Sequence, residues 1–120
     1  MKILAIEHVQ LAMPAGGEQR ARDFYQGILG VPERPKPVHL AARGGVWFED
    51  GDVKIHLGVE KNFLAARKAH PALLVQGLAA LSTKLKATGH RVIDDDPLPG
   101  YRRIYTEDPF GNRIELMEPL

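Results

Sequence analysis

Ile55-His56-Leu57 and Ile114-Glu115-Leu116 are one pattern written twice, 59 residues apart (114 − 55 = 59). In each, a polar residue able to bind a metal stands between two apolar ones. The first copy lies in a run, residues 53–59, in which Val53, Ile55, Leu57 and Val59 alternate with Lys54, His56 and Gly58. That is the period of a strand with one buried face. Other landmarks keep nearly the same spacing. The glycines that close two helical patterns, Gly30 and Gly89, are 59 apart (89 − 30), the hairpin glycines Gly51 and Gly111 are 60 apart (111 − 51), and His8 and His70 are 62 apart (70 − 8). Four offsets that agree within three residues indicate an internal duplication. The chain is predicted to be α+β: two tandem βαβββ modules, about 1–60 and about 67–120, forming one domain over residues 1–120.

Working outward, residues 3–13 read as a strand ended by Pro14. Residues 18–29 read as a helix with Ala21, Phe24, Tyr25, Ile28 and Leu29 on its apolar face. Residues 31–37 hold too many prolines for a helix and form an extended connection. Residues 38–42 and 45–49 read as strands around Arg43-Gly44, and Glu49-Asp50-Gly51-Asp52 as a hairpin. After a polar linker at 61–68 the order repeats: a strand at 70–75, a helix at 78–88, a short strand at 90–93, and strands at 101–106 and 113–117. The turn Asp108-Pro109-Phe110-Gly111-Asn112 joins the last two and sets their register, and with it where Glu115 points.

Composition excludes several functions. Lys and Arg number 16 against 15 Asp and Glu, so the net charge of +1 lacks the basic footprint of a duplex nucleic-acid binder. Cysteine is absent, which removes disulfides, thiolate metal sites and cysteine nucleophiles. No apolar run approaches a membrane span. The first residues reach Glu7 and His8 too early for a secretory signal, so the expected location is cytoplasmic, with neither nucleic acid nor membrane as a partner.

Four polar residues fall on the first and last strand of each module, at repeat-equivalent positions: His8, His56, His70 and Glu115. Each lies opposite apolar neighbours, so all four can occupy the face of their sheets that the helices leave open. Three imidazoles and one carboxylate form a ligand set for Zn²⁺, Ni²⁺, Mn²⁺ or Fe²⁺. His39 and His90 lack this correspondence and are read as structural. Gln10 shares the face of His8. Tyr101, Arg103 and Tyr105 share the face of Glu115, where Arg103 could hold an anionic group. Trp47 is assigned to packing.

His8-Val-Gln-Leu-Ala-Met-Pro14, Phe24-Tyr25 with Leu29-Gly30, and Asp108-Pro-Phe-Gly-Asn-Arg-Ile-Glu115-Leu116 resemble the vicinal oxygen chelate superfamily over essentially the whole chain. That superfamily includes glyoxalase I, fosfomycin-resistance enzymes, extradiol dioxygenases and bleomycin-resistance proteins. The resemblance implies half-barrel sheets with the helices outside, and metal ligands on the first and last strands. His8, His70 and Glu115 match the His/His/Glu set of the fosfomycin-resistance enzymes. His56 stands where glyoxalase I carries a glutamate, so it is either a fourth ligand or a general base, and His56 and Glu115 are the candidate catalytic residues. The tyrosine three residues before the Asp-Pro turn, Tyr105, lines the substrate pocket in such proteins. Gln10, Arg103 and Tyr105 are therefore the candidate substrate-binding residues. The implied function is a metal-dependent lyase, isomerase or thiol transferase acting on a small molecule with adjacent oxygens, in a homodimer. The alternatives are an iron-dependent extradiol-type dioxygenase and a non-catalytic antibiotic-binding protein.

Overall fold

The computed structural model describes residues 1–120 and divides into two compact units, Met1–Phe63 and Leu64–Leu120. In the first, β1 (Val9–Met13) is followed by the short helix α1 (Glu18–Ala21) and a π-helical turn, Arg22–Gln26. Then come β2 (Glu33–Arg34), α2 (Val38–Ala41), β3 (Val46–Asp50) and β4 (Val53–Val59). The second unit runs β5 (Ala72–Leu74), α3 (Leu78–Ala87), β6 (Val92–Asp94), β7 (Tyr101–Glu107) and β8 (Arg113–Pro119). The strand orders are β1-β4-β3-β2 and β5-β8-β7-β6. Each first strand lies parallel to its unit's last, and the remaining pairs are antiparallel. The duplication seen in the sequence is thus a repeated topology.

Alternation decides which face of each sheet is buried. In the first unit Leu11, Met13, Val46, Phe48, Ile55 and Leu57 form the core with Ala21, Phe24 and Tyr25. Tyr25 stacks on Phe48 with ring centroids 5.4 Å apart. In the second unit Ile104, Ile114 and Leu116 are buried, as are Leu78 and Leu85 of α3. The opposite faces carry Gln10, Trp47 and His56 in one sheet, and Arg103, Tyr105 and Glu115 in the other.

Three expectations are corrected. Residues 38–42 form helix α2, not a strand. Pro37 enters it at φ −51°, Leu40 and Ala41 favour helix, and Gly44 and Gly45, at φ 74° and 83°, end it. The first strand begins at Val9, not residue 3, because β1 runs parallel to β4 with Val9 opposite Ile55. Strand β4 starts at Val53, just after the hairpin, and offers residues 1–6 no backbone to pair with. β5 likewise starts later than expected, at Ala72 opposite Glu115, and His70 precedes it.

Candidate functional site

Strand pairing sets Trp47, His56 and Gln10 side by side on the polar face of the first sheet. The His56 ring lies flat on the Trp47 indole, with centroids 4.0 Å apart and planes 3° from parallel, and His8 stacks on its other face at 4.4 Å. His56 is 4% exposed. Its Nε2 is 2.7 Å from Glu49 Oε2. A carboxylate can only accept, so Nε2 carries a proton, which in the neutral ring leaves the lone pair on Nδ1. The neighbouring Gly58 makes room for Gln10: a Cβ there would lie 2.6 Å from Gln10 Nε2.

Glu7 anchors the segment that carries His8. Its carboxylate accepts from Lys54 Nζ and lies 3.2 Å from His8 Nδ1. The Lys54 ammonium, then His8, hold Glu7 below the ordinary carboxylate range, and Glu7 in turn raises Lys54.

In the second unit His70 Nε2 lies 2.9 Å from Glu115 Oε1. His70 Nδ1 is 2.9 Å from the carbonyl of Lys68, so it must donate there. That leaves the Nε2 lone pair of a neutral ring aimed at a carboxylate oxygen. Two acceptors at this distance require a positive charge shared between them, either a proton or a metal ion. The donor chemistry fits a metal. An imidazole fixed through its far nitrogen by a carbonyl is the usual arrangement of a histidine ligand. A separation of 2.9 Å is close to that of adjacent ligands on one octahedral ion with bonds of about 2.1 Å.

The other Glu115 oxygen lies 3.4 Å from Arg103 Nη1, which is 2.9 Å from the Tyr105 hydroxyl. Arg103 also donates to the Asp96 carbonyl at 2.9 Å and meets Asp95 at 3.3 Å. Burial alone would lower the Arg103 pKa, but Tyr105, Asp95 and Glu115 outweigh it and hold the guanidinium above its ordinary value. Tyr105 has His70 against its ring at 5.2 Å and the Arg113 guanidinium 3.8 Å above it.

The turn before β8 is a buried polar knot. Asp108 Oδ1 accepts from the backbone N–H of Phe110 and of Asn112, both at 2.9 Å, and Oδ2 accepts from Asn112 Nδ2 at 3.0 Å. Asn112 Oδ1 accepts from Ala66 N–H at 3.0 Å. These bonds fix the register in which Tyr105 faces Glu115.

The four candidate ligands are brought together two and two, His8 with His56 and His70 with Glu115. Neither unit by itself gathers three donors for one ion. Gln10 lies beside His56, and Arg103 and Tyr105 lie beside Glu115. His39 and His90 stand outside both pairs; His90 Nδ1 lies 3.2 Å from the Glu107 carbonyl. Two residues of these faces escaped the sequence reading. Glu49 had registered only as part of a hairpin, and Arg113 only as the start of a strand. The one available signal was side-chain alternation, which puts Glu49 on the face of Trp47 and Arg113 on that of Glu115.

No protein-family model and no curated protein matches the chain. Solved structures do. A Bacillus anthracis protein assigned to the glyoxalase family is 48% identical, with a TM-score of 0.93, over 100% of this chain and 98% of that one. A fosfomycin resistance protein from Listeria monocytogenes is 18% identical, with a TM-score of 0.77, over 99% and 96%. A glyoxalase/dioxygenase from Nostoc punctiforme is 22% identical, with a TM-score of 0.74, over 100% and 98%. The last two show likeness of fold alone. No helix is long and apolar enough to cross a membrane.

Proposed function

Because the chain belongs to the glyoxalase family, within the vicinal oxygen chelate superfamily, we propose that it is a metal-dependent enzyme acting on a small molecule with two neighbouring oxygens. The reaction class is that of a lyase, isomerase or thiol transferase. The observation that supports this reading is the His70–Glu115 pair, whose atoms lie 2.9 Å apart at a place where either a proton or a metal ion can join them. His8, His70 and Glu115 hold the ion, and His56 is either the fourth ligand or the base. Zn²⁺, Ni²⁺, Mn²⁺ and Fe²⁺ all suit imidazole and carboxylate donors.

A bound ion with open positions supplies Lewis acidity to the adjacent oxygens of the substrate. The Lys68 carbonyl fixes the ring of His70, and Arg103 holds the second oxygen of Glu115. Glu49 keeps the His56 proton on Nε2, so Nδ1 is the atom that binds or takes a proton. Tyr105 accepts from Arg103 and thereby keeps its own O–H to donate to a substrate oxygen. Gln10 offers an amide beside His56. The active form is a homodimer, a reading supported by Ile3, Leu4 and Ile6, which stand 92%, 86% and 86% exposed in the single chain.

Cobalt loading tests the reading, because the visible spectrum of Co²⁺ reports its ligands. Acetohydroxamate, a chelator with two adjacent oxygens, should bind and shift the spectrum of the Co²⁺-loaded protein. Glu115→Gln should weaken Co²⁺ binding at least about tenfold, since it removes the only carboxylate ligand. A protein that takes up no Co²⁺, or whose Co²⁺ ignores the chelator, would overturn it.

A further inference from the structure

We infer that Arg113 recognises an oxyanion group, a carboxylate or a phosphonate, on the substrate that the metal face of the second unit receives. The inference rests on the functional reading above and adds to it a substrate class and a specificity residue.

The charges on this face nearly all have partners. Arg103 meets Asp95 and Glu115, and Arg91 meets Glu107. His70 meets Glu115. Arg113 takes part in none of the ion pairs. It is the cation of this face with no carboxylate to neutralise it, although Glu107 stands directly across from it in the β7–β8 pairing. Arg103, the residue that the sequence pattern favoured for an anion, has its donors directed at Asp95, the Asp96 carbonyl, Tyr105 and Glu115.

Arg113 is also held in position. Its guanidinium carbon lies 3.8 Å from the centre of the Tyr105 ring. Stacking of this kind engages the face of the guanidinium and leaves the N–H groups along its edge for bidentate contact with an oxyanion. It also limits the side-chain freedom that binding would otherwise have to remove. Tyr105 is the cross-strand partner of Glu115, and Arg113 precedes Glu115 by two residues on the same face of β8. Two residues of strand span about 7 Å. An oxyanion at Arg113 thus belongs to the same small molecule whose neighbouring oxygens reach the Glu115 side, separated from them by a few bonds.

The test is calorimetric titration of phenylphosphonate and of benzoate into metal-free and Co²⁺-loaded protein, for the wild type, Arg113→Gln, Arg113→Lys and Arg102→Gln. Arg102 is the control for net charge, since it pairs with Glu118 on the opposite face of the same sheet. Arg113→Gln should weaken the preferred anion at least about tenfold, the usual scale for losing a charge-assisted bidentate contact, with Arg113→Lys in between and Arg102→Gln near wild type. Acetohydroxamate should still shift the Co²⁺ spectrum of Arg113→Gln, which shows that the face is intact. Whichever anion binds more tightly identifies the group. Equal anion affinity in Arg113→Gln and wild type would overturn the inference, as would absence of anion binding in both metal states. Arg113-dependent anion binding in a protein that takes up no metal would instead sustain the inference and defeat the metal reading.

Discussion

At the scale of residues, the geometry turns on which nitrogen of each ring is already engaged. Lys68 and Glu49 each occupy one nitrogen, on His70 and His56 respectively, and so dictate which atom remains for a metal or a proton. The faces of His56 and Glu115 were legible, because alternation alone assigns a strand residue to a face, whereas His8 and His70 stand just before β1 and β5, where alternation does not reach. Glu49 was not, because its contact with His56 runs diagonally between β3 and β4 and depends on their register. Arg113 was not, because its lack of a partner depends on which acids the other arginines take. One titration checks the residue-level electrostatics. Glu7 should titrate below the ordinary glutamate value of 4.5 in a carbon-13 NMR experiment, and Lys54→Gln should move it up toward that value. Its folded-state value is depressed and that of Lys54 is raised. The link between the N-terminal segment and β4 is therefore present at neutral pH. It is lost in acid as pH falls through the Glu7 value, and in strong alkali as pH rises through that of Lys54.

Elements carry these residues only as well as their registers are held. Most elements were readable from periodicity and breakers, from β3, β4, β7 and β8 to helix α3. The strand starts were not, since they depend on the parallel register, which first pairs Val9 with Ile55 and Ala72 with Glu115. The single turn of α2 was misread because Val38 and Leu40 fit a strand equally well, and the outcome depended on entry at Pro37. Two substitutions test register. Gly45 sits at φ 83°, and a Cβ there would lie 2.2 Å from the Leu57 carbonyl oxygen. Gly45→Ala should destabilise the protein by about 1–3 kcal/mol or more in a denaturant titration. Asn112→Ala strips Ala66 N–H of its acceptor and Asp108 of a donor, and should cost about 1–3 kcal/mol. Co²⁺ affinity should fall with it, because the turn sets the register of Glu115.

At the scale of the whole molecule, duplication gives each unit of the 120-residue chain two of the four candidate ligands, His8 with His56 and His70 with Glu115. His70 and Glu115 are two donors, too few to hold an ion tightly, so the proposed ligand set includes His8 as a third. The proposed homodimer belongs to this scale too. Sedimentation should show two chains at micromolar concentration, and charged substitutions at Ile3, Leu4 and Ile6 should shift the population toward one. A monomer in the wild type would remove the support those residues give. The most direct measurement is the metal content of untagged protein by elemental analysis, in the wild type, His8→Ala and Glu115→Gln. The proposed ligand set predicts about one transition-metal ion per chain in the wild type and loss of that ion in each variant. Full metal content in either variant, or none in the wild type after reconstitution, would contradict it.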